Sequence, residues 1–308
     1  MTTKEKISLA IREPRQIGRS FMQHTAKYWH DDVLYLKLLF YFTMGKRLDL
    51  KHPKTFNEKL QWLKLYNRRP EYTTMVDKYA VKEYVASKIG KEYVVPTLGV
   101  WEKPEQIEWD KLPDRFVLKT THGGGNTGVV ICKDKSTFNR EQAIAKLNRS
   151  LQSDIYIGLR EWPYKNVTKR IIAEEYIEDS RSKDLVDYKF FCFDGKVRFF
   201  KVDFGRQIGE HRANYYSREG QLLDFGEAAF PPVKDKHIPM PTNLNKMINL
   251  AEALAGDTCF LRVDLYNICG SIKFGELTFY PAGGMGLFTD SQWDEKIGDW
   301  LTLPAKRL

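Results

Sequence analysis

The chain has 308 residues, 42% hydrophobic and 29% charged, so it can bury a sizeable core and is not an intrinsically disordered protein. Lys and Arg outnumber Asp and Glu by 49 to 40, a net charge of +9, which favours an anionic partner such as a nucleotide, an acidic polysaccharide or membrane headgroups. We expect no secretory signal peptide, because charges run through the first fifteen residues.

The first ninety residues predict helices. Thr55 and Glu58 have the T-x-x-E spacing of a capping box in front of a helical segment. The segment 77–90 starts at Asp77, a favourable helix cap, and ends at a glycine. The most apolar run, 33–44, is too short to span a bilayer and contains Lys37.

A basic segment lies before these helices, and two interpretations of it stay open. It could lie on an anionic membrane surface as an amphipathic helix. It could equally be a solvated helix with one packed face. Its basic residues are Lys4, Lys6, Arg12, Arg15 and Arg19, and its apolar residues are Ile7, Leu9, Ile11 and Phe21.

From residue 93 onward, short runs of branched and aromatic residues predict strands. Helical patterns at 139–152, 242–255 and 291–300 interrupt them, so the predicted class is α+β rather than a regular βαβ alternation. Asp194-Gly195 and the stretch "NICGS" at 267–271 predict tight hairpin turns. The predicted strands are 93–101, 115–121, 128–133, 169–177, 185–193, 196–204, 259–267 and 271–280.

The four cysteines predict no disulfide or metal site. They stand singly in apolar runs without a C-x-x-C pair, so we expect buried free thiols and a cytoplasmic protein. They are Cys132, Cys192, Cys259 and Cys269.

A glycine-rich loop, "LKTTHGGGNTG" at 118–128, contains G-x-G-x-x-G at Gly123, Gly125 and Gly128. A dinucleotide-binding loop of this form opens a helix, whereas here "VVICKD" predicts a strand, and the P-loop pattern is absent. The remaining interpretation is a hairpin between two antiparallel strands, whose backbone N–H groups close over phosphate oxygens.

A protein kinase also uses a glycine-rich flap, but the rest of its signature does not fit. D-F-G occurs at 203–205 and 224–226, yet no H-R-D precedes it, and Lys119 comes before the glycines instead of after them. "HRAN" at 211–214 lacks the catalytic Asp. We interpret both D-F-G strings as turns.

With Lys119 on the strand that leads into the flap, the order of motifs resembles the ATP-grasp superfamily. The resemblance implies an ATP-grasp fold, in which two α+β subdomains grip ATP, after a helical N-terminal region. It implies phosphate-binding lysines at Lys78 and Lys119 and a phosphate lid formed by 122–128. It implies a nucleotide hinge in "IIAEEYIED", at Glu174, Glu175, Tyr176 and Ile177, and a late pair of strands that carries Arg262, Asp264 and Glu276.

The last pair implies a magnesium site, since twin carboxylates on a hairpin bind hard cations that bridge ATP phosphates. One position departs from the family, which usually has an Asn two residues after the second acid. Here that residue is Thr278, whose hydroxyl can coordinate magnesium or hold a water.

Three stretches look like the branch named for teichuronopeptide biosynthesis (TupA-like), and the similarity covers about residues 35 to 305. The stretches are the segment that begins "TFNEKLQW" at 55, "LKTTHGGG" at 118 and "ELTFYPAGG" at 276. The branch implies an Mg-ATP-dependent ligase that joins an amino acid or amine to a uronic acid of a surface polysaccharide or its precursor. It implies no nucleic acid partner.

In such a ligase Arg262 would steady the acyl phosphate, and His122, Gly123, Gly124 and Gly125 would line the lid. His122 could contact phosphate or act on the amine, or it could be a hydrogen-bonded turn residue. Four charged residues on or next to the following hairpin have two open interpretations. They could contact the nucleotide or an acidic substrate, or they could be charged side chains on the exposed face of a strand. They are Asp187, Lys189, Lys201 and Arg206.

We predict three parts: a helical region at 1–76, an ATP-grasp part with the lid at 77–168, and a part with the magnesium site at 169–308. Two other functions stay open. One is a glycosyltransferase of polysaccharide synthesis, although the D-x-D that often binds a sugar diphosphate is absent. The other is a degenerate ATP-binding module, which Thr278 keeps open.

Overall fold

The computed structural model describes residues 14–179, 185–205, 209, 211–235 and 238–306. The predicted site residue Arg206 lies outside the described residues, as do Lys4, Lys6, Ile7, Leu9, Ile11 and Arg12 of the basic segment. Within the described residues no helix is both long and apolar enough to cross a bilayer.

In the part of the chain that the structure describes, five α-helices precede the first strand. α1 and α2 pack on each other around Met22, Leu36 and Phe40. α3 begins with the predicted capping box, in which the Thr55 hydroxyl accepts from the Glu58 N–H and the Glu58 carboxylate accepts from the Thr55 N–H. The helices are α1 (Pro14–Thr25), α2 (Asp32–Met44), α3 (Phe56–Tyr66), α4 (Glu71–Val76) and α5 (Val81–Ile89).

A four-stranded antiparallel sheet follows, in the order β1-β4-β2-β3. The strands are β1 (Thr97–Trp101), β2 (Phe116–Thr120), β3 (Val129–Cys132) and β4 (Ile171–Glu175). Helix α6 (Arg140–Leu151) packs on β2 and β3. β2 pairs antiparallel with β3, so the glycine-rich loop is the hairpin that the sequence predicts. The predicted division at 168 falls before β4, which pairs with β1 and β2.

A five-stranded antiparallel sheet has the order β7-β6-β5-β8-β9. Its strands are β5 (Asp187–Phe193), β6 (Lys196–Phe204), β7 (Arg212–Ser217), β8 (Phe260–Ile268) and β9 (Ser271–Thr278). Both predicted turns are present: Asp194 and Gly195 have φ of 48° and 72°, and Cys269 and Gly270 have φ of 53° and 91°. Two residues with positive φ match the twist of the strands they join.

Helices cover this sheet and connect it to the N-terminal region. α8 (Leu244–Ala255) packs on β5, β6 and β8, and α9 (Gln292–Asp299) packs on α3. Phenylalanines of β5, β6 and β8 form the centre of the largest core cluster together with Phe56 of α3. The N-terminal region is therefore built into the same core as the last strands.

Some predictions differ from the structure. The "HRAN" stretch enters β7, and a short helix, α7 (Ile155–Leu159), was not predicted. The first D-F-G is not a turn, because Asp203 and Phe204 end β6. Buried thiols are found at Cys132 and Cys192, but Cys259 is only partly buried and Cys269 is exposed, because it forms the β8–β9 turn.

Candidate active site

The end of the β8–β9 hairpin brings three charged residues together. The strand register places Asp264 opposite Glu276 and Arg262 opposite Thr278. Arg262 Nε and Nη2 donate to the two oxygens of Asp264, both at 2.7 Å, and Nη2 also donates to Glu276 Oε1 at 2.8 Å. The guanidinium thus bridges both carboxylates, which share one side of the hairpin.

Asp264 is ionised in this setting. Burial alone would raise its pKa, but the charges of Arg262 and Lys189 outweigh burial and lower the pKa to about 2. Lys189 Nζ lies 2.5 Å from Asp264 Oδ2 and also donates to Asp187. The same two carboxylates outweigh the burial of Lys189 and raise its pKa.

The network continues along the sheet into β6 and the loop after β7. Lys201 lies opposite Lys189 in the β5–β6 register. Its Nζ is 3.0 Å from Glu227 Oε2 and 3.7 Å from Asp203 Oδ1. His211 Nε2 lies 2.9 Å from the same oxygen of Asp203. Asp187, Lys189 and Lys201 are thus buried ion-pair partners and not exposed strand charges.

The two lysines of the proposed phosphate site lie in different elements. Lys78 follows α4, and its Nζ donates to the carbonyl of Gly123 in the lid. Lys119 is on β2, and its Nζ lies 2.5 Å from Glu174 Oε2 on β4. Burial lowers the pKa of Lys78, against the attraction of Glu276 and Glu174 and with repulsion from Lys119. The two lysines and the two acids therefore lie within electrostatic reach of each other.

A cavity of about 10 Å³, large enough for one water molecule, lies between the α4–α5 segment, the turn Trp162–Asn166 and β9. Lys78, Tyr164 and Glu276 line it together with Met75, Val76, Val81, Gly275 and Leu277. The lysine before α5 and the acid on β9 therefore face one space.

Sequence reasoning missed Lys82, which shares Glu174 with Lys119. Lys82 Nζ lies 2.5 Å from Glu174 Oε1, so two lysines hold the two oxygens of one buried carboxylate. Burial alone would raise the pKa of Glu174, but both lysines outweigh it and hold the pKa below its ordinary value. The spacing of Lys78 and Lys82, four residues apart, was the available signal.

The lid has a packed base and an exposed tip. Thr120 and Ser150 share a hydrogen bond of 2.7 Å between their hydroxyls, directly beneath Gly128. His122 is buried, and its Nε2 lies 3.0 Å from the Ser150 carbonyl, while Nδ1 has no partner among the described residues. Burial lowers the pKa of His122, which favours the neutral ring. The tip at 125–127 is exposed, and Gly125 has φ of 53°.

The predicted hinge residues lie at the end of β4 and just beyond it. Glu174 is buried, Glu175 is exposed, and Tyr176 and Ile177 are half-buried. The guanidinium of Arg115 lies 4.4 Å from the centre of the Tyr176 ring. Among these four predicted hinge residues, Glu174 contacts Lys119, one of the two predicted phosphate-binding lysines.

The side chains that could bind a metal ion lie together on β8 and β9. Thr278 Oγ1 donates to Glu276 Oε1 at 3.2 Å, so its hydroxyl lies beside the carboxylate pair. Across the ranges that the structure describes, no three His, Cys, Asp or Glu residues group together in a way that could hold a metal ion. The protein donors for a cation are therefore the two carboxylates and one hydroxyl.

Sequence reasoning also missed the buried polar side of α3. Gln61 Nε2 donates to the carbonyls of Gly283 and Gly284 at 3.2 and 2.6 Å, and Asn57 Nδ2 donates to the Gly286 carbonyl at 2.9 Å. Lys64 Nζ donates to Gly283 O at 2.7 Å. α3 thereby holds the loop that follows the Glu276 strand.

Comparison with known proteins gives one family. A family model described as "TupA-like ATPgrasp" matches residues 58–302. Comparison with curated protein sequences finds no match.

Solved structures with some likeness are ligases and a synthetase. D-alanine–D-alanine ligase from Bacillus anthracis is 17% identical over 67% of this chain and 57% of that chain, with a TM-score of 0.40. The Helicobacter pylori enzyme is 14% identical over 75% of this chain and 61% of that chain, with a TM-score of 0.43. The D-cycloserine synthetase DcsG is 15% identical over 74% and 71%, with a TM-score of 0.39. This chain thus spans about three fifths of the length of the two D-alanine–D-alanine ligases. Because all three TM-scores are below 0.5, the family assignment rests on the family model alone.

Proposed function

We propose an activity from the premise that this chain belongs to the TupA-like ATP-grasp family. The proposed activity is an Mg-ATP-dependent ligation, in which a carboxylate is activated as an acyl phosphate and then joined to an amine. The observation that carries the proposal is the pair Asp264 and Glu276, opposite each other on β8 and β9 and bridged by Arg262.

The donors at this pair fit Mg²⁺ bound together with a nucleotide. Mg²⁺ usually takes one or two carboxylates, keeps several waters and completes its shell with substrate phosphates, so it needs no cage of three acids. Asp264, Glu276 and the Thr278 hydroxyl would hold it. When bound, the metal neutralises negative charge on the phosphates of ATP.

The lysines and the lid support binding of the phosphates. Lys119 is on β2, the strand that leads into the lid, and Lys78 is attached to the lid through the Gly123 carbonyl. We assign these two lysines to the α- and β-phosphates and the segment 122–128 to the γ-phosphate. We assign Glu174, Glu175, Tyr176 and Ile177 to the nucleotide hinge. His122 lies at the lid base with a neutral ring, and we assign it to holding the lid against α6.

Arg262 is suited to the charge that develops during transfer. Its five N–H donors can leave the carboxylates and meet the oxygens of the transferred phosphoryl group, where fixed positive charge stabilises the transition state. Lys189 contacts Asp264 and would keep that carboxylate in place when Arg262 moves. No side-chain nucleophile is needed, because the chemistry is positioning and charge stabilisation.

The substrates we propose are a uronic acid of a surface polysaccharide or its precursor and an amino acid or other amine. The resemblance to the teichuronopeptide branch motivates this assignment, and the net charge of +9 suits an acidic glycan. Asp187, Lys189 and Lys201 extend the charged network away from the nucleotide and are the residues we assign to substrate contact.

We also propose that the protein works in the cytoplasm, in contact with the inner face of the membrane. α1 exposes Ile17 and Phe21 one turn apart, with exposed fractions of 39% and 59%, and exposed Arg15 and Arg19 lie on the same helix. A helix that exposes apolar side chains on one face and basic side chains on another suits a surface of anionic lipid. We expect the protein to sediment with phosphatidylglycerol vesicles but not with phosphatidylcholine vesicles, and Phe21→Ser to lose this binding. Equal recovery of the protein with both vesicle types would contradict the proposed membrane contact.

The activity is tested by incubation of the protein with Mg-ATP, each of the amino acids, and glucuronate, galacturonate or oligogalacturonate. We expect ADP and phosphate in equal amounts and an amide detected by mass spectrometry. Lys119→Ala and Glu276→Ala should lose turnover, whereas Lys37→Ala, at an exposed position of α2, should keep it.

Four results would contradict the proposal. AMP as the product, or no nucleotide turnover with any carboxylate, excludes an acyl-phosphate ligase. Thermal stabilisation by UDP-sugars but not by Mg-ATP favours a glycosyltransferase. Loss of ATP binding in Lys119→Ala and Glu276→Ala, with the cellular product intact, indicates a degenerate module.

A further inference from the structure

Glu161 is a buried carboxylate next to the candidate active site that neither the motifs nor the proposed function uses. It is 7% exposed and lies between α7 and the turn Trp162–Asn166. Its Oε1 lies 3.8 Å from the position that a β carbon on Gly283 would occupy. It therefore lies beside the loop that follows the Glu276 strand.

The backbone at Glu161 is held firmly by its neighbour. Arg160 has φ of 54°, a left-handed conformation that costs a non-glycine residue energy and persists only where other contacts enforce it. Arg160 Nη2 donates to the carbonyls of Ala26 and Trp29 at 3.0 and 2.8 Å, and Arg160 Nε lies 2.7 Å from Asp32 Oδ1. Anchors in the N-terminal helices thus fix where the Glu161 side chain starts.

The carboxylate of Glu161 accepts no hydrogen bond and forms no ion pair within the described residues. Lys64, the cation that acts most strongly on Glu161, donates its three N–H groups to Gln61 Oε1, Leu159 O and Gly283 O, at 3.0, 2.9 and 2.7 Å. The carboxylate oxygens are not fully enclosed, so a ligand can reach them, and partly enclosed titratable groups of this kind are concentrated at functional sites.

Glu161 lies beside the candidate active site, because Tyr164, three residues after it, lines the same cavity as Lys78 and Glu276, and the charges nearby limit what it can bind. Arg262 and Glu276 both act electrostatically on it. A further anion would be repelled by Glu161 and Glu276 together, so the missing partner is a cation or a neutral donor. The proposed reaction supplies such a cation, the ammonium group of the amine substrate.

We propose that Glu161 binds the amine substrate and accepts the first proton from its ammonium group. This rests on the proposed ligase function. The ammonium R′NH₃⁺ gives one proton to the Glu161 carboxylate, and the free amine attacks the carbonyl carbon of the acyl phosphate. The new C–N bond forms as the C–O bond to phosphate breaks, and the leaving phosphate takes the electron pair of that bond and the second proton. The products are the amide, HPO₄²⁻ and a protonated Glu161 that returns its proton to water.

The titration of Glu161 suits this role. Burial raises its pKa to about 7, against the opposing charge of Lys64, so the group can accept and release a proton near neutral pH. The titratable or charged groups that face it are Lys64 on α3, Arg262 on β8, Glu276 on β9, and Tyr164 and Tyr280 in the flanking turns.

The test uses two amines that differ in their need for a base. Hydroxylamine is neutral at pH 7.5 and traps an acyl phosphate as the hydroxamate without deprotonation. An amino acid must first lose a proton. In Glu161→Gln we expect amide formation with the amino acid to fall by a factor on the order of 10², with hydroxamate formation and ATP affinity near those of the wild type. Glu83→Gln, at an exposed position of α5, is the matched control.

A second readout is the pH profile of amide formation. The wild-type rate should rise to a plateau as Glu161 loses its proton, and this limb should be missing in Glu161→Gln. Unchanged amide formation in Glu161→Gln overturns the role of Glu161 alone. Loss of hydroxamate together with amide indicates a structural role and also overturns it. Absence of hydroxamate from the wild type with every carboxylate refutes the ligase function, and the two failures are therefore distinguishable.

Discussion

Gly128 is the position in the lid where one added carbon should have the largest effect. A β carbon there would lie 2.0 Å from Thr120 Oγ1 and 2.4 Å from Ser150 Oγ, the two hydroxyls that bond to each other. Gly128→Ala must therefore separate the two hydroxyls or displace β3 from β2. Overpacking of this kind costs about 1 to 3 kcal/mol, and the lost hydrogen bond adds about 0.5 to 1.5 kcal/mol.

The free energy of unfolding of Gly128→Ala should thus fall by about 2 to 4 kcal/mol in urea titrations. In the background Thr120→Ala, Ser150→Ala both hydroxyls are gone, and the added cost of Gly128→Ala should drop to less than half. Such recovery within a mutant cycle identifies the contact that causes the loss.

Gly125→Ala is the matched control. Its β carbon would meet nothing within 4 Å, but its φ is 53°, so it should cost about 1 to 2 kcal/mol through backbone strain alone. That cost should be the same in both backgrounds. If Gly128→Ala loses as much stability without the two hydroxyls as with them, steric contact at the lid base is not the reason for this glycine.

Three further predictions concern buried charges. Lys64→Met leaves two acceptors, Gln61 Oε1 and Leu159 O, without a donor and should lose about 2 to 5 kcal/mol of unfolding free energy, while Lys37→Met, at an exposed position, should stay within about 0.5 kcal/mol in the same titration. Glu174 has a lowered pKa, so its contribution to folding stability is complete above the ordinary pKa near 4.5 and is lost as the pH falls through the pKa of the folded state. The stability of Glu174→Gln should therefore decline less steeply in acid than that of the wild type. Lys82→Met leaves Lys119 as the remaining partner of Glu174, so ATP affinity measured by calorimetry should fall several-fold, whereas Lys88→Met on the same helix should not change it.

The strands and turns were predictable because their signals are local. All eight predicted strands are present within a few residues of their predicted bounds, since alternation and turn residues act over short distances. The two hairpin turns that contain glycine were predictable for the same reason, because their signal lies in adjacent residues. β7 was missed because its first residues, Arg212 to Asn214, include two polar side chains and resemble a loop.

The buried polar residues could not be predicted in the same way. Asn57, Gln61 and Lys64 lie at spacings of four and three, which is the pattern of a solvated helix face. They are buried because the loop 283–286, more than two hundred residues later, lies on them. Glu161 is missed for the same reason, since a single glutamate between short turns has no pattern of its own. Such positions depend on which distant segments meet, and local sequence does not encode that.

The charges of the candidate site are paired among themselves in the protein without ligands. Arg262 is bound to Asp264 and Glu276, and Lys119 is bound to Glu174. In the proposed reaction, Mg-ATP would exchange these pairs: the metal would replace Arg262 at the carboxylates, and phosphate oxygens would replace the partners of both cations. Because a phosphate oxygen would replace a carboxylate as the partner of each cation, no cation is left buried without an anion, and the large free-energy cost of an unpaired buried charge is avoided. Glu161 is the exception, and a carboxylate that stays unpaired through this exchange is where a cationic second substrate would gain most by binding.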